Sequence, residues 1–159
     1  MPFERKYTCN DLMKMMAGAE LGVSEWVKVE QEMMNGFGAA TKDNDWLHLD
    51  PKRAAAEAGY GGTIAFGFWT LSMLTHFSHD IGMWPSDIGY GLNYGLDRVR
   101  WINPVPVGSR IRNRCVLLSF EQRDEGKFLI KTSNTMEIEN QDRPALLAEW
   151  LGLFVRSAA

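Results

Sequence analysis

One apolar stretch restricts the fold of this chain more than any other feature of its sequence. Residues 64–77 are apolar on nearly every side of a helix, and Gly61 and Gly62 precede them. A helix that is hydrophobic all round is normally buried. At ~1.5 Å per residue it would be about 20 Å long, and it has fewer than the roughly 20 apolar residues that a bilayer demands. The stretch therefore predicts a buried central helix and no membrane span.

Four stretches with the pattern of long β-strands follow this helix. In the clearest of them, alternate residues from Phe128 to Ile138 are mostly apolar, whereas Lys131, Thr135 and Glu137 fall on the other face. A proline-rich turn at residues 103–108 and a hairpin loop at 123–126 separate the first three stretches. The predicted strands cover residues 91–102, 110–121, 128–139 and 146–155. One buried helix followed by consecutive strands is typical of an α+β fold, in which an antiparallel sheet curls around the helix.

Shorter elements are predicted before the central helix. Asn10 is a candidate N-cap for a helix over residues 11–17, and Pro51 suits the first turn of a helix over 51–58 that Asp50 caps. A short strand is predicted at 26–29 and a helix at 30–40, and residues 43–45 favour a turn. In the first helix, Leu12, Met15 and Met16 are expected to share the face that packs on the body.

Length and composition limit the classes of protein to consider. With 159 residues the chain is expected to form one domain, residues 1–159, and a domain of this size buries roughly 70% of its unfolded surface. The net charge of −3 argues against a general nucleic-acid binder. Cys9 and Cys115 are far apart and are expected to be free thiols. The first six residues lack the apolar core of a signal peptide, so a cytoplasmic location is expected.

Asp43 and His48 form the most chemically informative pair in the sequence. Their spacing of five residues brings them together only if the backbone bends between them, which residues 43–45 favour. With ordinary pKa values of ~3.9 and ~6.5, such a pair can move protons near neutral pH. From spacing alone, the favoured interpretation is that Asp43 shapes a turn and His48 is a hydrogen-bonded loop histidine.

Three sequence blocks resemble the (R)-specific enoyl-CoA hydratases and MaoC-like dehydratases. The first is the D-x4-H-x-D-P-x-x-A pattern from Asp43 to Ala54, and the second is the glycine-rich block at 61–67. The third, residues 93–101 and 104–109, resembles the branch of the family that contains nodulation protein N. Together the blocks lie within residues 31–112. The resemblance implies a hot-dog fold, in which an antiparallel sheet wraps around a long central helix, and a homodimer with the active site near the subunit interface.

The resemblance also implies an activity and its residues. The expected reaction is the reversible addition of water across the 2,3 double bond of a trans-2-enoyl thioester, giving an (R)-3-hydroxyacyl thioester in fatty acid metabolism. Asp43 and His48 match the catalytic pair, and Gly67 matches the glycine whose backbone N–H holds the thioester oxygen. Ser72 matches a supporting serine, and close packing of helix on sheet is an alternative explanation for Gly67. The resemblance further implies a substrate carried on coenzyme A or an acyl-carrier protein and no cofactor, and no metal is expected.

Other positions carry weaker expectations. Asn93 and Tyr94 are expected to line the acyl pocket, or simply to begin a strand. Phe66 stands where the family usually has histidine, which is expected to change the pocket or the start of the helix. His76 and His79 have no visible third metal ligand. Alternating Arg110, Arg112 and Arg114 share one face of a strand, where a solvated face or dimer rim is favoured over binding of coenzyme A phosphates. Lys52 and Arg53 are further candidates for phosphate binding.

Two other functions remain open from the sequence. An acyl-CoA thioesterase needs an acid or base at the carbonyl but not the convergent pair, so the presence of both Asp43 and His48 favours hydration. A non-catalytic acyl-thioester-binding module would be favoured by an occluded pocket, with Phe66 or a tryptophan blocking it.

Overall fold

The computed structural model describes residues 4–156; residues 1–3 of the N-terminal segment and residues 157–159 lie outside that range. Within it the chain forms five helices and six strands. The helices are α1 Cys9–Lys14, α2 Gln31–Thr41, α3 Trp46–Leu49, α4 Pro51–Glu57 and α5 Gly67–Ile81. The strands are β1 Glu20–Val23, β2 Val27–Lys28, β3 Tyr90–Trp101, β4 Arg110–Asp124, β5 Lys127–Ile138 and β6 Leu146–Val155.

All strand pairs are antiparallel and form a single sheet. Its order is β1-β4-β5-β6-β3, and β2 also pairs with β4. Alternate residues of β5 and β6 are buried, which is the period of two expected when one face of a sheet covers a core. The buried face packs with Leu74, Phe77 and Ile81 of α5 in one hydrophobic core. The α+β fold class and the hot-dog arrangement are therefore confirmed, and β6 has the predicted bounds.

The central helix begins and ends later than predicted. Residues 64–66 are extended: Ile64 bridges Pro106, and the Ala65 N–H donates to the Val105 carbonyl at 2.7 Å. These residues are buried like the helix, so apolar character alone did not distinguish an extended entry from a helical turn. At the other end α5 continues to Ile81 and stops at Gly82, whose φ of 76° is left-handed.

The prediction that this helix is buried on all sides is wrong for the single chain. Phe68 is 71% exposed, and Ser72, Thr75 and His76 continue the same open side. Successive members of this set are four, three and one residues apart, which places them along one side of an α-helix. The sheet of this chain covers the opposite face of α5, where helix residues such as Leu74 are buried in the core.

The N-terminal elements correct several predictions. The N-cap of α1 is Thr8 rather than Asn10, because Thr8 and Asp11 form a reciprocal capping box. Met16 is exposed and does not pack on the body. The strand β1 was not predicted, since the glycines that flank and interrupt it favour a turn. The helix after Pro51 is confirmed, with the Asp50 carboxylate accepting from the Arg53 N–H at 3.0 Å.

Both cysteines are free and buried. Burial raises the pKa of Cys9 and of Cys115 to about 12, so both thiols are protonated near neutral pH. Neither supplies a thiolate nucleophile. Among residues 4–156, no helix is both long and apolar enough to span a bilayer.

Candidate active site

Asp43, His48 and Gly67 line one cavity of about 390 Å³, which we call the acid–base cavity. It lies where the end of α2, the helix α3, the start of α5 and the end of β3 meet. Its volume is within the roughly 300–1,000 Å³ of small-molecule sites. The lining residues are Phe37, Thr41, Asp43, His48, Phe66, Gly67, Phe68 and Trp101.

His48 is held by a backbone contact that fixes its tautomer. It lies on the short helix α3, which Asp45 caps by accepting from the Leu47 N–H at 2.9 Å. The Nδ1 atom lies 2.8 Å from the Ile64 carbonyl oxygen. Because a carbonyl only accepts, Nδ1 carries the proton in this contact, which in the neutral imidazole leaves the lone pair on Nε2. The neutral ring can therefore act as a base through Nε2.

Phe66 packs directly on the imidazole. Its ring centroid is 3.9 Å from that of His48 and 5.3 Å from that of Phe37, and it is only 3% exposed. A phenyl ring neither donates nor accepts conventional hydrogen bonds. It instead holds the imidazole between an apolar surface and the Ile64 carbonyl.

Asp43 follows directly from the end of α2. Lys42 has a left-handed φ of 61°, and the Asp43 N–H returns to the Gly38 carbonyl at 3.1 Å. A Cβ at Gly38 would lie 2.8 Å from the Asp43 carbonyl oxygen, so only glycine allows this close approach. The Asp43 carboxylate accepts from the Asp45 N–H at 3.2 Å, as in an Asx-turn. The bend predicted between Asp43 and His48 is thus present, and Asp43 also shapes the turn.

Gly67 is the first residue of α5, whose N-cap Phe66 makes no side-chain capping bond. Its carbonyl accepts from Trp101 Nε1 at 2.8 Å and from Thr70 Oγ1 at 2.6 Å. A Cβ at position 67 would lie 3.0 Å from Trp101 Nε1 and 3.3 Å from Cε2. Close packing therefore accounts for the missing side chain. The glycine still places a backbone N–H group at the helix N-terminus beside the acid–base cavity.

Ser72 and Asn93 line a second cavity of about 320 Å³, which we call the helix–strand cavity. Ser72 Oγ donates to the Trp69 carbonyl at 2.7 Å. Tyr94 is 57% exposed and lines neither cavity. Phe68 is the residue that the two cavities share. The helix–strand cavity is lined by Phe68, Leu71, Ser72, Leu74, Thr75, Asn93, Gly95, Leu96 and Trp150.

Gln31 is a site-supporting residue that sequence reasoning missed. Its Nε2 donates to the His48 carbonyl at 2.8 Å, and its Oε1 accepts from the Thr63 hydroxyl. These bonds connect α2 to both segments that hold the imidazole. A glutamine in the first turn of a helix carries no sequence signal for such a role. The sequence places Trp101 in a motif, but a local pattern does not indicate its contact with Gly67.

The candidate arginines lie in ion pairs of their own. Arg53 pairs with Glu57 at 3.1 Å and lies 4.2 Å from the Trp46 ring. On β4, Arg112 pairs with Glu137 at 2.6 Å, and its neighbours Arg110 and Arg114 pair with glutamates as well. No group of three metal-binding side chains occurs within residues 4–156. Ion pairs on the sheet surface thus explain the alternating arginines.

Comparison with known proteins adds three findings. Residues 14–138 match the family described as "MaoC like domain". Nodulation protein N of Rhizobium leguminosarum bv. viciae is 46% identical over 134 residues, which is 84% of this chain and 83% of that protein. The 3-hydroxyacyl-thioester dehydratase Z of Mycobacterium tuberculosis strain H37Rv is 41% identical over 139 residues, 87% of this chain and 91% of that protein.

The solved structure of the (R)-hydratase from A. caviae involved in PHA biosynthesis superposes with a TM-score of 0.70. The alignment covers 87% of this chain and 96% of that one at 16% identity. At 16% sequence identity, this structural similarity supports the assignment of the fold.

Proposed function

The chain belongs to the MaoC-like dehydratase family, and on this basis we propose that it reversibly hydrates trans-2-enoyl thioesters to (R)-3-hydroxyacyl thioesters. The observation that carries the proposal is the meeting of Asp43, His48 and the start of α5 at one cavity. Hydration requires a group that activates water, a proton donor for C2 and a partner for the thioester oxygen. These three tasks match the chemistry of the residues around the acid–base cavity.

Asp43 and His48 together activate the water in this proposal. The lone pair on Nε2 of His48 and the carboxylate of Asp43 both accept hydrogen bonds, and together they hold and deprotonate the water. The water oxygen bonds to C3 while the electrons of the double bond move through C1 to the thioester oxygen. A proton then returns to C2, so no other reactant is consumed.

The Gly67 N–H stabilises the enolate oxygen. It lies at the first residue of α5, where the helix dipole adds partial positive charge. A preorganised donor of this type typically contributes ~10²–10³ in rate. Its carbonyl is fixed by Trp101 and Thr70, which orients the start of the helix.

The acyl chain occupies the helix–strand cavity. That cavity adjoins the acid–base cavity at Phe68 and is lined mainly by apolar side chains. Ser72 and Asn93 then contact the acyl chain rather than the reacting carbons. Tyr94 is not assigned to the pocket because it lies on the surface of the chain. A coenzyme A or acyl-carrier-protein thioester as substrate, the absence of a cofactor and a cytoplasmic location remain predictions.

The edge strand β3 supports a homodimer. Among the described residues 4–156 it pairs only with β6, so within that range its other edge presents unpaired backbone groups. Many of its large apolar side chains are exposed: Tyr90, Leu92, Tyr94, Leu96 and Trp101. Light scattering of the wild type is expected to give twice the mass of the chain. Leu96→Lys is expected to give monomers, whereas a wild type that is itself monomeric would refute the dimer.

Loss of enoyl-thioester absorbance with crotonyl-CoA and longer trans-2-enoyl-CoAs tests the activity. We expect turnover by wild type that falls by about 10² or more in Asp43→Asn and in His48→Gln. Asp45→Asn is the matched control, because Asp45 caps α3 but does not line the cavity. Circular dichroism verifies folding. Turnover that persists in folded Asp43→Asn and His48→Gln would refute the assigned roles.

The same samples separate the alternatives. A thioesterase would release free thiol, which a thiol reagent detects. A non-catalytic module would bind acyl-CoA without turnover. Against the second alternative, the acid–base cavity is open at about 390 Å³, and Phe66 packs on His48 rather than filling it.

A further inference from the structure

We propose that the indole of Trp150 is the wall that limits acyl chain length, so that short-chain enoyl thioesters are the preferred substrates. The inference rests on the proposed function, because it takes the helix–strand cavity as the acyl site. Trp150 is 8% exposed and lies on the inward face of β6, opposite Thr132 of β5 and Leu96 of β3.

On the inward face of β6, the nearest neighbours of Trp150 are both small. Ala148 and Gly152 lie on either side of it along the strand and leave the indole space. A Cβ at Gly152 would already be 3.1 Å from Ile130 Cγ2, so this space does not accept another large side chain. The strand therefore presents one large aromatic group between two small positions.

Cavities lie on both sides of this indole. On one side is the helix–strand cavity of about 320 Å³, at the lower end of the roughly 300–1,000 Å³ of ligand sites. On the other is an apolar void of only about 10 Å³, barely enough for one water. Trp150 lines both. The other residues around the void are Met83, Trp84, Leu92, Ile130, Thr132, Gly152 and Phe154.

The position of the indole has a direct consequence for substrates. A chain that enters past the exposed Phe68 reaches the buried Trp150 in the lining of the helix–strand cavity, and the second space that Trp150 lines is nearly filled. Replacing the indole with a small side chain joins the two spaces and extends the apolar lining toward Ile130 and Phe154. Each methylene that moves from water into such a lining improves binding about four-fold.

The experiment measures kcat/KM for crotonyl-, hexenoyl-, octenoyl- and decenoyl-CoA. Wild type is compared with Trp150→Ala, with Trp150→Phe, which keeps more of the core filled, and with Leu151→Ala as the matched control. Leu151 is the next residue and lies on the outward face of β6. We expect wild type to prefer the short substrates. We expect Trp150→Ala to raise the ratio of decenoyl to crotonyl turnover by about 10-fold or more, with Trp150→Phe intermediate and Leu151→Ala unchanged.

The outcomes separate this inference from the proposed function. If wild type hydrates no enoyl-CoA, the proposed function fails. If wild type hydrates crotonyl-CoA and decenoyl-CoA equally well, the reaction stands and Trp150 is not the wall. If Trp150→Phe or Trp150→Ala is active but keeps the wild-type chain-length profile, the inference is likewise overturned. Because Trp150→Phe removes the least volume, it keeps the test decisive if the alanine variant does not fold.

Discussion

Gly67→Ala is expected to harm activity far more than stability. The new Cβ would lie 3.0 Å from Trp101 Nε1, 3.3 Å from Cε2 and 3.4 Å from Cδ1. The first two distances are tighter than ordinary van der Waals contact. Trp101 is 45% exposed, so its ring can turn toward solvent to relieve the conflict. That movement breaks the hydrogen bond from its Nε1 to the Gly67 carbonyl.

The two effects on stability nearly cancel. Loss of one partly exposed hydrogen bond costs about 0.5–1.5 kcal/mol, whereas alanine is favoured over glycine in a helix by up to about 1 kcal/mol. The free energy of unfolding is thus expected to change by less than about 1 kcal/mol. Activity responds more strongly, because a displacement of roughly 1 Å at a catalytic donor can cost about 10²-fold. We expect kcat/KM to fall by about that factor.

A double-mutant cycle with Trp101→Ala tests the steric argument. Enoyl-CoA hydration and urea unfolding are measured for the wild type, both single variants and the double variant. Without the indole, the alanine at position 67 has none of the three close contacts, so Gly67→Ala should cost about 10-fold less activity in that background. An equal loss in both backgrounds would refute the reasoning and would indicate that the glycine is needed for substrate approach instead.

Two further changes address the imidazole and the response to pH. Phe66→Ala removes the buried ring that packs on His48 and should lower the free energy of unfolding in urea by about 3–5 kcal/mol. The control Phe68→Ala changes an exposed position and should lower that free energy by less than about 1 kcal/mol. Equal losses of stability in the two variants would contradict this prediction. Burial, with neighbouring positive charge, lowers the pKa of His79 below its usual 6.5. The unfolded chain then binds the proton more readily, so stability is present above pH 6.5 and is lost as the pH falls through the lower folded pKa. In urea titrations at neutral and mildly acidic pH, His79→Gln should make that decline shallower, and an unchanged slope would exclude His79 as its source.

The long strands could be predicted because the burial of one sheet face produces an alternating apolar and polar pattern in their own sequence. Alternation with a period of two records which face of β5 covers the core, and β6 was predicted without error in its bounds. The start of α5 could not be predicted in this way. Residues 64–66 are extended because they bridge the turn before β4, and that contact joins segments about forty residues apart.

The residues of the candidate site also divide into those that the sequence motif identified and those whose position depends on the tertiary structure. The motif from Asp43 to His48 was visible in the sequence, and both residues line the cavity that also contains Gly67. Ser72 lies elsewhere because five residues of helix rotate it about 140° from Gly67. Tyr94 lies at a register shift between Asn93 and Gly95, where strand alternation breaks down.

The sequence by itself determined the fold class, the order of the four long strands along the chain and the motif that contains Asp43 and His48, because each depends on local periodicity or on a compact run of residues. Only the tertiary structure decided what surrounds that pair. The ring of Phe66 on His48, the indole of Trp101 at Gly67 and the wall formed by Trp150 all join residues far apart along the chain. Such contacts depend on how strands and helix pack in three dimensions, and local sequence patterns do not record that packing.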